Sequence, residues 1–186
     1  MAIEINLSWQ GPYGLATPEL RERFAPPSQP GVYLWTVGQQ SNYHVSYIGK
    51  ANDLKERMYQ HVTAMLGGAY HLYDEAHMVR GEPPKSRYQP GLANFLKDFD
   101  TMTGLAHLNL ASYRFFWAVL EQNTRVLEAV ESALITDALR SGEHIQNGKV
   151  SRGPSKSKKV HISCQFPSNL SIRGIRTEYC PYGDLE

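Results

Sequence analysis

Two cysteines in 186 residues, Cys164 and Cys180, allow at most one disulfide bridge, so a disulfide-stapled secreted scaffold is excluded. No run approaches the roughly 18 consecutive apolar residues needed to cross a bilayer. The start, Met1-Ala2-Ile3-Glu4, has no basic and then apolar leader. These absences predict a cytoplasmic chain with no membrane partner. Net charge is nearly absent as well, since 19 Lys+Arg against 18 Asp+Glu gives +1. That balance hides a local excess. Lys149, Arg152, Lys156, Lys158 and Lys159 follow one another with no acid among them, a pattern suited either to phosphate-backbone contacts or to a solubilising tail. There is no internal repeat, and a 41% hydrophobic composition supplies material for a single core.

Residues 1–30 show little periodicity and are punctuated by Pro12, Pro18, Pro26, Pro27 and Pro30, which predicts an arm or short helical turn laid on the domain. From Gly31 the text alternates like a strand, Val32 to Val37. A polar turn over 38–42 and a second strand-like run, Tyr43 to Ile48, follow, and together they read as a β-hairpin. Asn52 or Asp53 can cap a helix whose apolar stripe is Leu54, Met58, Val62 and Met65, with Glu56 completing a capping box and Gly67-Gly68 ending it. Residues 69–90 mix Tyr70, His71, Tyr73, His77 and Tyr88 with glycine and proline and read as a mobile excursion. A short amphipathic helix is expected near Leu92 to Phe99. A third, buried strand is expected over 112–120, and a second major helix runs from a cap at Asn123 or Thr124 to about Arg140. Short β-like stretches resume at Val160 and Leu170.

The most informative anomaly is Glu131. It falls four residues after Leu127 and four before Ile135, so helical geometry places its carboxylate in the apolar stripe. A charge there requires a basic partner, a wet cleft or a metal ion. Arg57 and His61, four apart on the first helix, project from one face and together suit a phosphate: arginine supplies a planar fork, and a neutral imidazole can relay a proton. Tyr33 and Tyr47 stand where glycine meets strand. A tyrosine hydroxyl beside cations such as Lys50 or Arg57 has its phenolate favoured and could then act as a base or orient water. His161 and Cys164 with Cys180 lack the fourth ligand and paired spacing of a zinc site.

Gly31-Val32-Tyr33, then Tyr47-Ile48-Gly49, Arg57 on the following helix, a glutamate on a later helix and an asparagine after it resemble the GIY-YIG nuclease superfamily in kind and in order. The resemblance covers roughly residues 30–147, and its most specific stretch runs from Tyr47 to Arg57. Arg57-x-x-x-His61 is similar to the restriction and homing members, and Lys50 to members with a lysine after YIG. Val32 stands where the eponymous isoleucine would, and 69–90 looks like an insertion into the minimal module.

The resemblance implies that Tyr33 and Tyr47 line the active site, that Arg57 contacts the scissile phosphate, that Glu131 binds a metal ion, Mg2+ or Mn2+, and that Asn147 helps order the site. One well-placed carboxylate points to one ion. Tyr33, its ionised form favoured by Lys50 or His61, is then the group that takes the proton of the attacking water, with Tyr47 positioning it. The expected fold is α+β: a small three-stranded antiparallel sheet flanked by helices over 31–147, preceded by the arm 1–30 and followed by a basic extension, 148–186. The expected function is a metal-dependent endonuclease on duplex DNA, a stand-alone restriction-type enzyme working as a homodimer. The alternatives are a structure-specific repair or recombination nuclease and an inactive nucleic-acid-binding module. Arg80 and Arg87 in the excursion and the basic stretch after Asn147 are the expected DNA contacts.

Overall fold

The computed structural model describes residues 3–39, 42–74, 76–77, 80, 82–83, 85–147, 160–167 and 170–179. The expected hairpin forms β3 (Gly31–Gln39) and β4 (Asn42–Ala51), and the expected third strand forms β7 (Tyr113–Val119), which pairs antiparallel with β3. These three strands are the middle of a wider sheet. β2 (Gln10–Gly14) extends it antiparallel to β7, and β9 (Ser171–Arg173) extends it parallel to β4, for a five-stranded order β2-β7-β3-β4-β9. The small three-stranded sheet is therefore corrected to five strands within an α+β fold. Both additions come from segments whose patterning is weak: β2 contains Gly11 and Pro12, and β9 is only three residues long.

A second sheet has the order β1-β8-β10. In it β1 (Ile3–Ser8) runs parallel to β8 (Val160–Gln165), and β10 (Glu178–Tyr179) closes the other edge. The segment up to residue 30 thus supplies two strands as well as the short helix α1 (Pro18–Glu22). Among the described residues there are four further helices: α2 (Leu54–Leu66), α3 (Leu92–Lys97), α4 (Phe99–Ser112) and α5 (Thr124–Arg140). None is long and apolar enough to cross a membrane.

Strand alternation divides the core in two. Val32, Leu34, Ile48, Phe116 and Ala118 face Leu127, Val130, Leu134 and Ile135 of α5, joined by Ile5 and Leu7 of β1 and Ile162 of β8. Tyr33, Trp35, Phe115 and Trp117 face the other way, onto Leu54, Met58 and Met65 of α2 and Leu110 of α4. The 69–90 excursion carries a short ladder of β5 (Leu72–Tyr73) and β6 (Ser86–Tyr88), and its Leu72 and Tyr88 are buried in the α2-side core. Part of the segment expected to be mobile is packed because its aromatics have apolar surface to bury. Helix ends follow the expected chemistry. Asp53 accepts the Glu56 N–H at 2.8 Å and Asn123 the Val126 N–H at 3.2 Å, each satisfying a donor that the first helical turn leaves orphaned.

Two glycines of the hairpin are fixed by close approach. Gly49 lies opposite Tyr33, and a Cβ there would collide with the tyrosine's phenol carbon and oxygen; a Cβ on Gly31 would collide with the Ala118 carbonyl. Gly104, exposed on α4, has open space around it. Gly49→Ala should therefore lower stability by about 1–3 kcal/mol, whereas Gly104→Ala should raise it by about 0.5–1 kcal/mol through helix propensity. Urea unfolding of the two variants checks both signs.

Candidate active site

Tyr33 has no exposed surface. Its hydroxyl lies 2.6 Å from His61 Nε2 and accepts a hydrogen bond from Arg57 Nε at 3.3 Å. Both partners come from α2, where spacing of four sets them one turn apart on the face packed against the sheet. His61 Nδ1 lies 2.7 Å from the Tyr70 hydroxyl. A neutral imidazole has one N–H, so it donates to one phenol and accepts from the other. One order satisfies each group in turn: Arg57 donates to Tyr33, Tyr33 to His61 Nε2, and His61 Nδ1–H to Tyr70. Tyr47 stacks beside Tyr33 with ring centroids 6.1 Å apart and an interplanar angle of 27°. Arg57 also donates through Nη1 to Gln60 Oε1 at 3.3 Å. Among the described residues its Nη2 has no hydrogen-bond partner.

Burial sets the protonation of this group. It pushes the Tyr33 phenol well above the ordinary tyrosine range, reinforced by Tyr47 and only partly offset by the Arg57 hydrogen bond. The expected ionised Tyr33 is therefore corrected: withdrawal from water disfavours phenolate more than one guanidinium favours it. Lys50 gives it no help, being engaged elsewhere. Burial first, and then the Arg57 charge, push His61 down to about 3, so the ring is neutral at physiological pH.

Lys50 and Glu131 meet on the other side of the sheet. Lys50 pairs in register with Val32 of the α5-side core, and its Nζ lies 3.7 Å from Glu131 Oε2 and 3.8 Å from Glu128 Oε1. The basic partner that the stripe position of Glu131 demands is thus Lys50. Burial nevertheless raises the Glu131 pKa, with Lys50 opposing and Glu128 adding to the rise. Asn147 joins the two sides by gripping the backbone of β4. Its Nδ2 donates to the Ile48 carbonyl at 2.6 Å and its Oδ1 accepts the Ile48 N–H at 3.1 Å, which fixes the strand between Tyr47 and Gly49.

Tyr33, Tyr47, Arg57 and His61 therefore form one cluster, Lys50 and Glu131 a neighbouring pair across β4, and Asn147 the clamp between them. Arg80 and Arg87 are engaged by carboxylates of their own segment, Arg80 Nε with Glu82 at 2.6 Å and Arg87 Nη2 with Asp74 at 2.6 Å. Lys149, Arg152, Lys156, Lys158 and Lys159 lie outside the described residues. His161 pairs with Glu4 at 2.8 Å, and Cys164 is buried. Tyr70 was missed in its role on His61; its sequence signal was only a polar aromatic shortly after the end of the helix.

Comparison with family models, with curated proteins and with solved structures returned no match.

The buried neutral imidazole has a measurable consequence. Between its ordinary value of 6.5 and about 3, the unfolded chain binds a proton at His61 that the folded chain does not. The stability this group contributes is complete above pH 6.5 and is lost as pH falls toward 3. Urea unfolding between pH 7 and pH 5 should show this decline, at most about 1.4 kcal/mol per pH unit from one group, and His61→Gln should flatten it. Equal pH slopes in the two proteins would contradict the buried neutral ring.

Proposed function

We propose that the chain is a GIY-YIG-type endonuclease that hydrolyses phosphodiester bonds in DNA. The observation that carries this reading is the Tyr33 hydroxyl held between His61 Nε2 and Arg57 Nε, beside Tyr47 on a strand pinned by Asn147. A phenol, an imidazole and a guanidinium in mutual contact suit acid–base work on a phosphate, and the order of these residues along the chain is that of the superfamily.

Glu131 fits a divalent ion of a particular kind. It is a largely buried carboxylate with the exposed Glu128 sharing its lysine, and among the described residues no group of three His, Cys, Asp or Glu side chains could hold a metal. Magnesium commonly keeps several waters and takes only one or two carboxylates. Glu131 would hold such a hydrated ion, Mg2+ or Mn2+, which would supply Lewis-acid polarisation of a phosphoryl oxygen and stabilise the leaving oxyanion; because Glu131 and Arg57 stand on opposite faces of the sheet, a phosphate served by both would have to lie across the end of β4. The competing cation is Lys50, whose ammonium is screened by the second carboxylate of Glu128.

The chain's own residues do the remaining work. Arg57, with Nη2 available, binds a phosphate oxygen and neutralises charge that grows there. A phosphate on Arg57 also offsets the positive charge that helps depress His61, so the imidazole becomes more basic when substrate is bound. Tyr33, with no exposed surface, does not meet the attacking water itself; its hydroxyl donates to His61 Nε2 and accepts from Arg57 Nε, and so holds both groups where phosphate and water arrive. This role needs no phenolate and agrees with the buried phenol. Tyr47, half-buried beside Tyr33, positions the water. A stand-alone restriction-type enzyme that cuts both strands would act as a homodimer.

Supercoiled plasmid incubated with the protein and Mg2+ should be nicked or linearised, and chelator should stop it. Glu131→Ala should lower cleavage by about a hundredfold or more while DNA binding in a gel shift persists. Full cleavage by that variant, or none by the parent, overturns the reading. Discrete fragments from long duplex DNA support the restriction-type enzyme, and cleavage confined to branched DNA supports the structure-specific one.

A further inference from the structure

Beside Tyr33 the α2 side of the molecule holds a pocket of ≈ 280 Å³. Tyr47, Arg57 and His61 belong both to the cluster above and to the pocket wall, and Trp35, Tyr70 and Gln146 continue that wall. The rings meet at angles, Trp35 against Tyr47 at 5.6 Å and 51° and Trp35 against Tyr70 at 6.3 Å and 65°. The volume lies just under the range of about 300–1,000 Å³ typical of small-molecule sites and suits one planar heterocycle.

A fixed polar group makes this more than an apolar gap. The side-chain amide nitrogen of Gln146 donates to Ser46 Oγ at 2.6 Å and to Tyr113 Oη at 3.1 Å. That fixes the amide, and among the described residues its carbonyl oxygen accepts nothing. Aromatic walls stack a base of any sequence, a fixed amide carbonyl accepts from an amino or imino group on its edge, and a guanidinium on the same wall binds the phosphate attached to it.

We propose that this pocket receives one unpaired nucleobase of the strand whose phosphate Arg57 binds, so that the preferred substrate presents a single-stranded or extrahelical nucleotide beside the cut. The inference deepens the nuclease reading and rests on it for the scissile phosphate. Tyr70 and Tyr73, both on the pocket wall, come from the 69–90 segment. Part of the specificity for an unpaired base is thus carried by residues outside the hairpin and helix that resemble the superfamily.

Two ligands separate base from phosphate. Deoxycytidine 5′-monophosphate and deoxyribose 5-phosphate are titrated onto the full chain in chelator, with calorimetry for affinity and saturation-transfer NMR for the contacted protons. The nucleotide should bind about tenfold tighter or better, the low end of what stacking one base on an aromatic side chain supplies, and its base protons should receive the strongest saturation. Tyr73→Ala and Gln146→Leu, each confirmed to unfold cooperatively, should each lose most of that advantage while keeping the sugar-phosphate affinity. Equal affinity for the two ligands, binding of neither, or an undiminished base advantage in both variants overturns the inference. If plasmid is not cleaved but the base advantage holds, the nuclease reading fails and the pocket stands as a nucleotide site. If plasmid is cleaved and the two ligands bind alike, the pocket proposal fails and the nuclease reading stands.

Discussion

A phenol with no exposed surface has to find hydrogen-bond partners inside the protein, and the rest of the site follows from how Tyr33 finds them. His61 and Arg57 answer its hydroxyl from a single helix face, so α2 must start where it does and run straight through both residues. The Asp53 cap fixes that start. The ring itself needs room on the neighbouring strand, and only a residue without a side chain gives it, which is why glycine stands at position 49. One buried hydroxyl thus couples the hairpin, the cap and the helix, and a change at any of them reaches the others.

Strand β4 is where the two groups of side chains meet. Tyr47 and Lys50 lie near its end and point to opposite faces of the sheet, one toward the α2 cluster and the other toward Glu131 on α5. Asn147 holds the backbone between them through both polar groups of Ile48. Such an arrangement lets the Tyr33–His61–Arg57 cluster and the Lys50–Glu131 pair sit close along the chain while each keeps its own environment. Burial pushes both Tyr33 and Glu131 upward, toward their neutral forms, and pushes His61 downward to the same end. Arg57 is thus the cation that an incoming phosphate would meet, because Lys50 is paired with Glu128 and Glu131.

What the sequence made legible was the part governed by local rules. The hairpin alternates with period two, α2 and α5 carry apolar stripes and side-chain caps, and all of these stand where the patterns put them. Glu131 was recognisable as a charge in an apolar stripe, though its partner was not, because Lys50 is brought to it by tertiary packing. The widening of the sheet was hidden for a similar reason. β2 and β9 are short, interrupted or weakly patterned strands stabilised by pairing with β7 and β4 rather than by their own propensity. α4 went unread because its apolar residues make no clean stripe, its exposed Leu108 standing close to buried Ala106 and Leu110. The protonation of Tyr33 was read the wrong way round because nearby cations can be seen in a sequence and burial cannot.

The central claim is that the Tyr33 hydroxyl, and not merely its ring, holds Arg57 and His61 in their working arrangement. Tyr33→Phe keeps the packing over Gly49 and removes one oxygen. Its rate of plasmid cleavage in Mg2+, measured beside the parent with unfolding and DNA binding as controls, should fall about a hundredfold or more while the fold and the binding persist. Cleavage by the phenylalanine variant at the parental rate would contradict the account.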